Sequence, residues 1–114
     1  MFAKLKLLVA AAALLCASAA AVATDYHFDI TNETGYTITY LYVSPETSNY
    51  WEEDVLGQEG LLRPGKTQRV NLSGYKTPIF DIRLVNENDD RYTFWKVNVS
   101  EHNLTVKPDD RDDD

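Results

Sequence analysis

The chain has 114 residues, 11 basic and 18 acidic side chains, and a formal net charge of −7. This length suffices for one domain, and so acidic a surface repels nucleic acid and anionic membranes. The single cysteine, Cys16, lies near the N-terminus, which excludes zinc–thiolate, iron–sulfur and disulfide chemistry from the remainder of the chain.

Residues 1–23 are typical of a signal peptide. Lys4 and Lys6 precede the apolar run 7–17, and the small residues at 21–23 match an A-x-A cleavage site. The alternative is a retained membrane anchor, for which the apolar run is too short. Cleavage removes both lysines and takes the net charge from −7 to −9. A secreted or periplasmic protein, free of the membrane after cleavage, is therefore predicted.

Short runs of alternating or β-branched and aromatic residues, separated by turn residues, predict β-strands along the rest of the chain. In chain order they are 26–30, 36–43, 66–72, 79–85, 91–99 and 104–106. Partway along the second and fifth strands, the apolar residues switch from one face of the strand to the other. That change indicates either a β-bulge, near Tyr40 in the second strand, or two covered faces.

These segments predict an all-β fold, a small antiparallel β-sandwich or partly open barrel of about six strands with one short helical turn. The single domain spans 24–108. The acidic run 109–114 is predicted to be a disordered tail, because it contains nothing to bury.

The helical turn is predicted at 50–56. Ser48 suits the N-cap, acidic residues follow in the first turn, and Gly57 suits the position just after the C-terminus.

The same segment holds the most distinctive local chemistry of the chain. Tyr50 and Trp51 stand beside Glu52, Glu53 and Asp54. Aromatic rings rimmed by carboxylates bind sugars, or basic proteins through cation–π contacts and salt bridges. The alternative for the aromatic residues is simple core filling. We take these five residues as the candidate binding surface.

A second candidate site is a calcium loop. Asn86, Asn88 and Asp90 place oxygen ligands at alternate positions, and Asp89 adds a carboxylate. Six or more oxygens are needed, so Asp81 is included as a further ligand, with Asp54 as its alternative. These residue types are also what ordinary hairpin loops contain.

Signatures of enzymes are missing from the sequence. It contains no G-x-S-x-G, H-E-x-x-H or phosphate-binding glycine loop. His27 and His102 become neighbours if the first and last strands pair, but two half-exposed strand histidines need no metal. No cofactor other than calcium is expected, and we predict that the protein is not an enzyme.

The chain resembles a family of small secreted bacterial proteins of unknown function. The resemblance rests on five short motifs: Asn32-x-Thr34-Gly35, Leu41-Tyr42-Val43-Ser44-Pro45, Trp51-x-x-Asp54-Val55-Leu56-Gly57, Pro64-Gly65 and Phe80-Asp81-Ile82-Arg83. It departs from the family pattern at Glu52, where glycine is usual, and in lacking a cysteine pair. Members are often labelled argininosuccinate lyase, but this domain has neither the length nor the helices of that enzyme. The resemblance implies a secreted β domain and no mechanism.

The sequence therefore predicts a secreted or periplasmic, non-enzymatic binding domain whose partner is a basic protein. An inhibitor of a cationic hydrolase is one form that this function takes. The alternative is a calcium-stabilised structural or adhesion domain built on the 86–90 loop.

Overall fold

The computed structural model describes residues 23–56 and 60–113. It contains six strands: β1 (Thr24–Asn32), β2 (Ile38–Pro45), β3 (Thr67–Tyr75), β4 (Ile79–Asn86), β5 (Arg91–Asn98) and β6 (Leu104–Val106). They form two three-stranded sheets, ordered β3-β1-β6 and β2-β4-β5. The predicted small β-sandwich is confirmed, and the sheets do not close into a barrel. No helix among the described residues is long and apolar enough to cross a membrane. The predicted signal peptide lies outside them, apart from Ala23.

The core lies between the two sheets and is built from alternating residues, as the sequence patterns predicted. Phe28 and Ile30 of β1 face inward, and so do Val70 and Leu72 of β3. The inward residues of β4 are Phe80, Ile82 and Leu84, each completely buried.

Both predicted phase changes are β-bulges. The register of β2 against β4 shifts between Ile38 and Tyr40. In β5 the shift falls opposite Asp81, where Lys96 adopts a positive φ of 55° and donates its backbone N–H to the Asp81 carboxylate at 2.9 Å. A bulge lets apolar residues face the core on both sides of the extra residue.

One strand pair is parallel rather than antiparallel. β6 runs alongside β1 in the same direction, with Ile30 opposite Leu104. The chain leaves β5 in one sheet and enters β6 in the other, so no tight hairpin fixes the direction of β6.

The predicted helical turn at 50–56 is wrong. This segment is extended and folds back along the edge of β2, where Val55 donates its N–H to the carbonyl of Leu41 at 2.8 Å. Seven residues gain little as an isolated helix, because helix nucleation is unfavourable. The unpaired backbone N–H and C=O groups of an edge strand offer this segment more stable hydrogen bonds than a single helical turn would. Gly57 lies outside the described residues, and the one short helix within them is a 3-10 turn at Pro108–Asp110.

The predicted disorder of 109–114 is also wrong for most of that segment. Arg111 forms a β-bridge with Tyr92, and Asp112 donates its N–H to the carbonyl of Arg91 at 2.7 Å. The Asp112 carboxylate accepts hydrogen bonds from the N–H of Thr93 at 2.9 Å and from its hydroxyl at 2.5 Å. The acidic composition of this segment favours disorder when only the sequence is considered. A carboxylate can, however, also accept hydrogen bonds from the unpaired backbone N–H groups at a sheet edge. Asp114 lies outside the described residues.

Candidate functional site

The extended 50–56 segment forms one wall of an open cleft at the edge of the sandwich. The cleft has a volume of about 550 Å³. Its lining combines two phenol rings, two carboxylates and an apolar floor, supplied by Tyr50, Tyr75, Glu52, Glu53, Val43 and Val55. We call it the acidic cleft. Three of the five predicted binding residues meet there, and Tyr75 joins them from β3 without any signal in the sequence.

The electrostatics of the acidic cleft favour a positive ligand. Burial raises the pKa of the Tyr75 phenol, and the negative charge of Glu52 and its hydrogen bond with the phenol raise that pKa further. Ion pairs between described residues include Arg69 with Asp29, His102 with Glu101 and Arg111 with Asp90. None of these involves Glu52 or Glu53, so the cleft keeps two uncompensated carboxylates within the described part of the chain.

We expect Glu52→Gln to lower the pKa of Tyr75 toward its ordinary value. Because the folded-state pKa is raised, the neutral phenol stabilises the fold below the unfolded-state pKa, and this stability is lost as pH rises through the folded-state value. Phenolate absorbance during an alkaline titration measures the change, with Tyr75→Phe identifying the signal. Glu46→Gln, on an exposed turn, is the matched control. An identical Tyr75 titration with and without the Glu52 charge would contradict the contact.

Trp51 faces a different surface, the outer face of the β2-β4-β5 sheet. Its ring lies over the guanidinium of Arg83, 4.8 Å from centroid to Cζ. A second indole, Trp95, lies 5.7 Å from it, centroid to centroid. Tyr40 and Tyr42 continue the row along β2 as a stacked pair, with centroids 6.1 Å apart and nearly parallel planes, 5° between them. We call these five residues the aromatic face.

Asp54 holds the 50–56 segment in place through one of its two carboxylate oxygens. Its Oδ1 accepts the backbone N–H of Leu41 at 2.9 Å and that of Leu56 at 3.1 Å. The neighbouring N–H of Glu52 is donated to the hydroxyl of Ser44 at 2.8 Å. Asp54 therefore docks the segment that carries Tyr50, Glu52 and Glu53, and its place in a binding surface stays a prediction.

The structure does not bring Asp81 to the 86–90 loop, which holds the other four predicted calcium ligands. Asp81 lies five residues before Asn86 on β4, which corresponds to about 17 Å along the strand. Asn86 is completely buried, and its Oδ1 accepts the N–H groups of Asn88 at 2.8 Å and Asp90 at 3.0 Å. Asp89 occupies the tip of the loop with φ of 66°. Asn86 thus closes an ordinary hairpin, which explains its residue type without a metal.

The two histidines do come near one another. β1 and β6 pair, and His27 and His102 line one open depression that also contains Asp29 and Arg69. Arg69 forms a 3.0 Å ion pair with Asp29 and lowers the pKa of that carboxyl group through this hydrogen bond. Across residues 23–56 and 60–113, no three His, Cys, Asp or Glu side chains are grouped to hold a metal ion.

Comparison with protein-family models, with curated proteins and with solved structures found no match for this chain. The family resemblance therefore stays a prediction. Several residues of its motifs have structural tasks here, including Asn32, Asp54 and Arg83.

Proposed function

We propose that the protein is a secreted or periplasmic, non-enzymatic binding domain that takes a basic segment of a partner protein into the acidic cleft. The observation that carries this proposal is the lining of the cleft: Glu52 and Glu53 beside the rings of Tyr50 and Tyr75. Lysine and arginine combine a cation with an apolar stem, and this lining offers carboxylates for the first and phenol rings for the second.

Exposure and net charge support the same ligand. Tyr50 is 73% exposed and Glu53 is exposed, so both are accessible to a partner without rearrangement. The backbone around them is fixed by the contacts of Asp54 and Ser44, which limits the entropy lost on binding. The net charge of −7 attracts a basic partner over longer distances. The sequence carries none of the enzyme signatures sought, so the proposal assigns no catalytic step.

A hexalysine peptide tests the proposal by titration calorimetry with the purified protein. We expect the double substitution Glu52→Gln/Glu53→Gln to weaken binding by about tenfold, which corresponds to about 1.4 kcal/mol for two partly exposed charges. The matched control is Glu33→Gln/Glu101→Gln, which removes the same charge from exposed positions outside the cleft. Affinity that falls equally in both double variants would indicate attraction by net charge alone and overturn the proposal. So would the absence of binding to the unmodified protein.

A further inference from the structure

The aromatic face carries a shallow bowl that the acidic cleft does not include. The bowl has a volume of about 120 Å³, and its walls are the rings of Tyr50, Trp51 and Trp95. Trp95 is 62% exposed, which is unusual for so large an apolar side chain on a small domain. Neither indole lines the acidic cleft, and Tyr50 stands between the two sites.

Polar groups line the same bowl with hydrogen-bonding capacity to spare. Asp81 uses Oδ1 to accept the Lys96 N–H, which leaves its second carboxylate oxygen for a ligand. Asn49 adds an exposed side-chain amide with no hydrogen-bond partner among the described residues. Ser48 adds a hydroxyl that already contacts the backbone of Tyr50. Apolar rings with a few polar groups at their margin are the usual lining of a small-molecule site.

The rings are held in position before any ligand arrives. Trp51 is fixed between the Arg83 guanidinium beneath it and Trp95 beside it. Tyr42 lies directly opposite Arg83 on the neighbouring strand, so the tyrosine pair continues the row across the sheet. Rigid, preformed contacts reduce the entropy cost of binding. The row is longer than the bowl, which points to an extended ligand with repeating units.

We propose that the aromatic face binds a neutral, β-1,4-linked glycan chain. A pyranose with equatorial hydroxyls presents flat C–H faces that stack on aromatic rings, and its hydroxyls lie at the rim, where Asp81 and Asn49 are placed. A β-1,4 linkage keeps successive rings in an extended ribbon that matches a row of side chains on a sheet. The net charge of −7 disfavours anionic glycans. A lysine-rich ligand binds more favourably to the two carboxylates of the acidic cleft than to the aromatic face.

This site goes beyond the proposed function and does not depend on it, because Trp51, Trp95 and Asp81 do not line the acidic cleft, and Tyr50 is the one residue that lines both. The chain contains two tryptophans, and both belong to the aromatic face. Their intrinsic fluorescence is therefore a direct reporter of occupancy.

The experiment is a fluorescence titration of the protein with cellohexaose and with chitohexaose, and maltohexaose serves as the control of different linkage. We expect a saturable change with at least one β-1,4-linked hexamer and a weaker or absent change with maltohexaose. The two β-linked arms distinguish a plain glucan from an N-acetylated one, and saturation by either supports the proposal. No saturable change with both, or an equal response to maltohexaose, would overturn it.

Variants locate the site, with affinity measured by calorimetry so that loss of a fluorophore does not matter. We expect Trp95→Ala to weaken binding by about tenfold or more, as is typical when a stacking tryptophan is truncated. Tyr36→Ala is the matched control, because Tyr36 is 46% exposed and lies outside the aromatic face. Asp81→Asn keeps the acceptor for the Lys96 N–H but replaces the free carboxylate oxygen with an amide nitrogen. We expect it to lower glycan affinity less than Trp95→Ala does. Equal effects of Trp95→Ala and Tyr36→Ala would overturn the placement of the site.

Discussion

Asn32→Asp is expected to destabilise the folded protein by about 3 kcal/mol or more, because it buries an uncompensated charge. Asn32 is completely buried at the end of β1. Its Nδ2 donates to the carbonyls of Tyr36 at 2.7 Å and Leu62 at 2.8 Å, and its Oδ1 accepts the N–H and hydroxyl of Thr34 at 3.0 and 2.7 Å. Aspartate has nearly the same shape but turns a carboxylate oxygen toward two carbonyls.

Urea unfolding monitored by circular dichroism measures this effect. Asn71→Asp is the matched control, since Asn71 is exposed on β3 and the same chemical change there should leave stability within about 0.5 kcal/mol. The defect should shrink as the pH is lowered, because the buried carboxyl group can then fold protonated. Unfolding midpoints that coincide for both variants would show that the Asn32 network is not required.

Phe80→Ala is expected to cost about 3–5 kcal/mol, the usual range for truncating a buried phenylalanine. Phe80 is completely buried on β4. The rings of Tyr26 and Tyr75 pack edge-on against it at centroid distances of 6.4 and 5.0 Å. Both tyrosines come from the opposite sheet, so this cluster joins the two layers of the sandwich. Domains of this size are stable by about 5–15 kcal/mol, and one substitution would therefore remove a large share.

The same unfolding experiment tests this prediction. Tyr50→Ala is the control, because that ring is 73% exposed and its loss should change stability by less than about 0.5 kcal/mol. If Phe80→Ala and Tyr50→Ala had similar midpoints, the ring cluster would not hold the sheets together.

The strands and their buried faces were predictable because apolar residues recur at every second position in β1, β3 and β4. Phe28, Ile30, Phe80 and Ile82 alternate with polar residues, and each faces the core. The bulges were detectable for the same reason, as breaks in that period. Which strands share a sheet was not predictable, because the direction and neighbours of β6 depend on contacts far apart in the sequence.

The sequence misled where polar side chains bind backbone groups. The sequence predicts Asp54 as part of a binding surface and Asp112 as part of a disordered tail, yet each accepts hydrogen bonds from backbone N–H groups of a sheet edge. The sequence predicts Asn86 as a calcium ligand, but in the structure it closes its own hairpin. These residues look alike in a sequence whether they face solvent or a backbone donor, and only the fold distinguishes the two.

Part of the candidate site was predictable from one segment. Tyr50, Trp51, Glu52 and Glu53 were identified because aromatic and acidic residues are adjacent there, and they lie on accessible surfaces. Their division between two surfaces was not predictable, because it follows from an extended backbone rather than a helical turn. Tyr75 and Arg83 come from other strands, so proximity in the chain gave no sign of them.

The position of β1 has a consequence for how the protein is made. β1 is the first strand to be synthesised, yet it is the middle strand of its sheet. Its contacts reach 40 residues ahead, from Asp29 to Arg69, and 74 residues ahead, from Asp29 to Asn103. β4 and β5, by contrast, are joined by a short hairpin. We therefore expect the hairpin to form early, while β1 can pair with β3 but keeps its other edge open until β6 has been synthesised. Chains with such distant pairings fold slowly, so the interval before β6 emerges is when this chain is most exposed to misassociation.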